Sequence, residues 1–227
     1  MLATLIFWGI SIVVQAPMQF AQVLLERFMG GKGDPMMMVA AGGVFFFFWA
    51  LAMSISCILT AGFMYFFITT LRKKANLDHV FAGFRGSNWA QILLAFAVLF
   101  AAILALALIF MIPGGVLTAT MKSEIPILVF AGLFLVPLIY LSVGMGFVFP
   151  LIVDRGIGFR EALSIAFKTV HSQWIQALGL LLLVGLVAMS GVILCCVGVL
   201  ATIPLSYLIW SQGYRQLFGD PDSAEVD

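Results

Sequence analysis

Charge is what this chain has least of: Asp, Glu, Lys and Arg together make 9% of its 227 residues, against about 25% in soluble domains. With 63% hydrophobic residues, a soluble fold of this size has too little polar surface to cover itself. The formal net charge is +1 and the basic residues lie beside apolar runs instead of forming a stripe, so nucleic acid is excluded as a partner. Cysteine is scarce as well. Cys57, Cys195 and Cys196 sit inside or at the ends of apolar runs and make no disulfide framework; they read as small packing residues. The two histidines, His79 and His171, have no carboxylate or thiol beside them in a ligand pattern, so no metal is expected. Charge is missing from the centre of every apolar run, which argues against proton relays and ion coupling. The loop Gly30-Gly-Lys-Gly-Asp34 lacks the Ser/Thr and the preceding strand of a phosphate loop. Nor does any segment gather a nucleophile, base and acid: no catalytic residues, cofactor or enzyme activity are expected. The first residues lack a positive n-region and a cleavage pattern, so the first apolar stretch is expected to stay in the mature protein.

What is present is a set of long apolar runs. Lipid leaves helices or closed barrels as the only spanning structures, and about 20 apolar residues make one helical crossing. The fold class expected is all-α: a polytopic membrane protein with about six transmembrane helices near 3–25, 44–70, 89–112, 125–152, 173–192 and 196–216. Asp34-Pro35 reads as an N-cap followed by proline at the first helical position, and Gly42-Gly43 as a break or a bend before the second span. Trp174 to Tyr214 contains no charge, and is read as a tight hairpin turning near Ser190 to Gly198. Pro137 and Pro204 are expected to kink their helices. In domain terms, 1–30 holds the first helix, 31–43 an external loop and short helix, 44–219 the bundle, and 220–227 an acidic tail.

A pattern of span, amphipathic stretch, tryptophan and span occurs twice. Gly62 leads through Leu77–Phe84 to Trp89, and Gly144 leads through Phe159–His171 to Trp174; the separations are 27 and 30 residues. This implies an internal repeat of 44–112 and 125–192. Six spans put Arg72, Lys73, Lys74, Arg85, Arg155, Arg160, Lys168 and Arg215 on one side and only Arg27, Lys32 and Lys122 on the other. The positive-inside rule makes the richer side, with both termini, cytoplasmic, as in a bacterial inner membrane, and the two repeats then run parallel.

On a helix over 159–171, Phe159, Ala162, Leu163, Ala166, Phe167 and Val170 form an apolar face, and Arg160, Glu161, Ser164, Lys168 and His171 a polar one. The expectation is an interfacial helix, with Phe159 and Phe167 toward acyl chains, Arg160 and Lys168 toward headgroups, and Trp89 and Trp174 at interfacial depth. It either anchors a loop, binds the headgroups of membrane lipids or docks a cytoplasmic partner. The shorter first copy presents Leu77, Val80, Phe81 and Phe84. On the first span, Ser11, Gln15, Gln19, Gln22 and Glu26 share one helix face; this row either meets the bundle or a partner, lines a transport path, or follows the interface beyond Pro17. Ala97, Ala101 and Ala105, with Ser142 and Gly146, are small-residue faces suited to close helix contact.

Gly62 through Trp89, with its Phe81-Ala-Gly-Phe84, the stretch from Phe149-Pro-Leu-Ile-Val-Asp-Arg-Gly156 through Trp174, and Tyr214-Arg-Gln-Leu-Phe-Gly219 carry a resemblance. Through these the chain resembles a group of uncharacterised bacterial integral membrane proteins, similar to the membrane domain that accompanies some glycerophosphodiester phosphodiesterases. It covers most of 44–219, and no segment of the chain is long enough for their catalytic barrel. The function expected is that of a non-catalytic membrane subunit or scaffold packing against other membrane proteins or itself; the alternative is a transporter or lipid-handling protein.

Overall fold

The structure, a computed structural model, describes residues 2–29, 35–72, 76–193 and 195–219. Every element among them is helical: α1 (Leu2–Met29), α2 (Pro35–Leu71), a 3-10 helix (Leu77–Phe84), α3 (Asn88–Met121), α4 (Ile125–Arg155), α5 (Phe159–Ser172), α6 (Trp174–Ile193) and α7 (Cys195–Phe218). Four stretches are long and apolar enough to cross a bilayer: Gly42–Leu71, Asn88–Met121, Ile125–Arg155 and Trp174–Gly191. The chain is an all-α, multi-pass membrane protein. In α1 the apolar part is shorter, Thr4–Pro17, within a helix that continues past Pro17.

One expected break is absent. Helix α2 begins at Pro35 and runs unbroken through Gly42-Gly43; the expected cap at Asp34 lies outside the described residues. The reason is the solvent. Where water cannot satisfy freed backbone groups, the intrahelical ladder outweighs the roughly 1 kcal/mol helix penalty of each glycine. Pro137 and Pro204 lie inside α4 and α7.

The chain divides into two compact units, Met1–Trp89 and Ala90–Asp227. In the first, α1 and the 3-10 helix pack on α2. A Cβ on Gly62 would overlap the Val80 carbonyl, and one on Gly83 would overlap the Ile58 carbonyl, so the two backbones touch directly. The 3-10 helix is fixed at its start by Asn76, whose side chain caps it while the His79 ring reaches back to the Asn76 N–H. Its apolar face differs from the expected one: Val80, Ala82 and Gly83 are buried, whereas Leu77, Phe81 and Phe84 are exposed. A helix with three residues per turn aligns Val80 with Gly83 and turns Phe81 and Phe84 together onto another side.

In the second unit α4 has two unlike halves. From Ile125 to Ile139 its large residues are exposed at Ile125, Leu128, Val129, Leu133, Leu135, Val136 and Ile139. From Val143 to Val153 nearly every residue is buried. Helix α5 provides part of that cover: after a turn at Gly156, which holds a left-handed φ of 62°, it folds back so that Phe167 lies on Gly144 and against Tyr140. Ala162, Ala166 and Val170 are buried, and Arg160, Glu161, Ser164, Lys168 and His171 are all exposed. Helices α6 and α7 form the hairpin expected from the charge-free stretch. Gly191 receives Thr202, and Gly213 receives Leu180, contacts separated by eleven residues on each helix, or about 16 Å of close approach.

Candidate functional site

In the first unit, α1 and α2 leave a groove of about 440 Å³ between them, lined by Phe7, Trp8, Ser11, Ile12, Gln15, Ser56 and Thr60. Phe7 closes one wall by stacking on Phe63 at 4.2 Å. Thr60 turns its hydroxyl back to the Ser56 carbonyl at 2.7 Å. Ser11 and Gln15 have no such partner among the described residues, and Thr4, two turns before Ser11, buries an unpaired hydroxyl. Of the predicted polar row, Gln15, Gln19 and Gln22 are exposed and Gln15 enters the groove; the side chain of Glu26 lies outside the described residues. An amide in this position keeps its full hydrogen-bonding capacity for whatever faces it.

In the second unit the C-terminal parts of α4 and α7 are tied together. The Tyr214 hydroxyl, on a fully buried ring, donates to Asp154 Oδ2 at 3.1 Å. Arg155 donates to the Phe218 carbonyl, and the Trp210 indole N–H donates to the Gly146 carbonyl at 3.2 Å. Phe147 stacks on Trp210 at 4.8 Å and lies 5.3 Å from Phe218. Two of the segments that carry the resemblance, 149–156 and 214–219, therefore meet in one latch. Its members are separated by about sixty residues in sequence, which is why they are not recognisable as a group there. Gly146, expected as a generic small-residue contact, is the seat of the Trp210 ring.

No family model, curated protein or solved structure matches this chain. What the molecule offers chemically is thus read from its own residues.

Phe159 is half-buried, and its backbone N–H donates to Gln91 Oε1 at 2.9 Å, which joins the start of α5 to α3. The Arg160 guanidinium lies 5.8 Å from the Phe159 ring centre. Phe167, expected toward acyl chains, is instead turned onto Gly144. Lys168 is exposed. Trp174 is half-buried with its ring 5.3 Å from Tyr140, while Trp89 is exposed. His79 is absorbed into the cap described above, with Thr69 Oγ1 at 3.1 Å from its Nδ1. Among the described residues no three His, Cys, Asp or Glu side chains gather as a metal site. Cys57 is half-buried in α2, and the side chains of Cys195 and Cys196 lie outside the described residues. Ala97, Ala101 and Ala105 are exposed along α3 beside Leu94, Val98 and Leu104.

A second groove, of about 640 Å³, opens where the two halves of α4 meet, and is lined by Val136, Pro137, Tyr140, His171 and Trp174. It adjoins another of about 450 Å³ that shares His171 and Trp174 and adds Gln173 and Gln176.

Proposed function

We propose that the chain is a non-catalytic subunit or scaffold of a bacterial inner membrane, packing laterally against other membrane proteins or a second copy of itself. The observation that carries this reading is the uncovered polar row on α1, where Gln15, Gln19 and Gln22 are exposed and Gln15 enters a groove beside Ser11 and Ser56. Interhelical hydrogen bonds from such groups contribute roughly 0.6–2 kcal/mol each when a partner helix meets them. The exposed alanine seam of α3 supports the same reading, because small residues admit close helix approach. Replacing Gln15, Gln19 and Gln22 together by Leu is expected to leave insertion intact and to release whatever co-purifies in mild detergent. A triple variant that keeps its companions and its thermal melting point would reduce α1 to an anchor.

The same proposal includes six spans, both termini in the cytoplasm, and a duplicated unit resembling the membrane domain that accompanies some glycerophosphodiester phosphodiesterases. The basic asymmetry supports the orientation. Reporter fusions after Asp227 and within Leu77–Phe84 are expected to read cytoplasmic and one near Lys32 external; a cytoplasmic Lys32 overturns the topology. The glycine-seated returns at Gly62 and Gly144 support the duplication. A second reading, a transporter or lipid-handling protein, draws on the volume of the α1–α2 groove, which falls in the range of small-molecule sites.

A further inference from the structure

The groove at Tyr140 combines features that belong to different solvents. On one side, α4 exposes Leu133, Val136 and Ile139, a surface suited to acyl chains. On the other, α5 exposes Lys168 and His171 one turn apart on its polar face. Between them stand Tyr140 and Trp174, half-buried and in ring contact at 5.3 Å, the two residue types that concentrate at headgroup depth. Neither the Tyr140 hydroxyl nor the Trp174 indole N–H has a hydrogen-bond partner among the described residues. The charge is one-sided: from Ala162 to Gly219 the chain contains no Asp or Glu. The nearest acidic residue on α5 itself is Glu161, ten positions before His171 and beside Arg160.

We propose that this groove binds one anionic glycerophospholipid, with its phosphate held by Lys168, His171, the Trp174 N–H and the Tyr140 hydroxyl, and one acyl chain lying along Val136 and Pro137. Charge complementarity selects the occupant. A zwitterionic lipid brings its own cation to a site with Lys168 one helical turn from its lining residue His171, and a protein segment would have to bring both an acidic group and a long apolar tail. The volume of about 640 Å³ suits part of one lipid and leaves the rest of the molecule in the bilayer. The reading is independent of the α1 partner face, because the groove lies wholly within the second unit.

The test uses the full chain reconstituted in vesicles of equal phosphatidylglycerol and phosphatidylcholine, extracted mildly and weighed by native mass spectrometry. Wild type is expected to retain phosphatidylglycerol over phosphatidylcholine by about fivefold or more, the scale set by one basic side chain at an anionic surface. Lys168→Gln with His171→Gln should bring the retained ratio to that of the vesicles. Arg85→Gln, which removes an exposed cation of the first unit, should leave it unchanged. Tyr140→Phe, which removes only an oxygen, should lower the ratio without altering helicity or melting, and so tests the site even if the double variant fails to fold. A wild-type ratio equal to that of the vesicles overturns the proposal. So does an Arg85→Gln variant that loses as much as the double variant, since that outcome marks general surface charge.

Discussion

The two returns of the chain onto its own spans make an instructive pair. In the first unit a 3-10 helix comes back onto α2 with backbone against backbone, Gly62 facing the Val80 carbonyl and Gly83 facing the Ile58 carbonyl. In the second, α5 comes back onto α4 with a side chain against backbone, the Phe167 ring lying on Gly144. The sequence pattern is shared and the packing solution is not. The returning elements differ in length, eight residues against fourteen. A short element reaches burial only by coming very close, whereas a full α-helix can hold itself at ring distance and bury a whole stripe through Ala162, Ala166 and Val170. Close approach without side chains leaves nothing that can move aside, and that difference can be measured.

The largest effect is expected from Gly62→Ala. The added methyl meets carbonyl backbone, no rotamer relieves it, and the cost should reach about 3 kcal/mol, the upper part of the range for overpacking. Thermal unfolding in detergent, followed by circular dichroism, is the measurement; an unchanged melting point would mean that the 3-10 helix is not seated on α2. A smaller effect, about 1–2 kcal/mol, is expected from Gly144→Ala, because the Phe167 ring can swing. There the comparison sharpens: adding Phe167→Leu to Gly144→Ala should recover part of the loss, while no side-chain change on Val80 should rescue Gly62→Ala. Equal rescue in both units would show that the two seats are the same kind of contact.

Helix positions were legible because lipid makes apolar length almost synonymous with helix, and the ends at Pro35, Trp174 and Phe159 carried local signals. Gly42-Gly43 does not interrupt α2 for the same reason, since a weakness that matters in water is overridden where the ladder has no competitor. The faces of α5 could be read from an α-helical period, and those of Leu77–Phe84 could not, because the element winds at three residues per turn. The polar row through Gln15 was visible as a row. Its counterparts Ser56 and Thr60 were not, because two hydroxyl residues four apart in an apolar helix usually bond back to their own backbone, as Thr60 does. Asp154 and Tyr214 were hidden by distance along the chain. Their one local signal is a polar group embedded in an otherwise apolar segment, which in this solvent calls for a partner somewhere.

The hairpin of α6 and α7 has a consequence for biogenesis. Between Gly191 and Thr202 the sequence holds no charged residue, so the turn of the hairpin gives insertion no charged loop to move across the bilayer. The glycine seats at Gly191 and Gly213 let the two helices associate at once over about 16 Å, and the pair can enter as a single unit instead of one helix after the other. Its open end carries Arg215 on α7, and Lys168 of α5 lies six residues before α6 begins, while the stretch between Gly191 and Thr202 has no charge at all. A basic end opposite an uncharged one gives the pair an orientation preference of its own under the positive-inside rule.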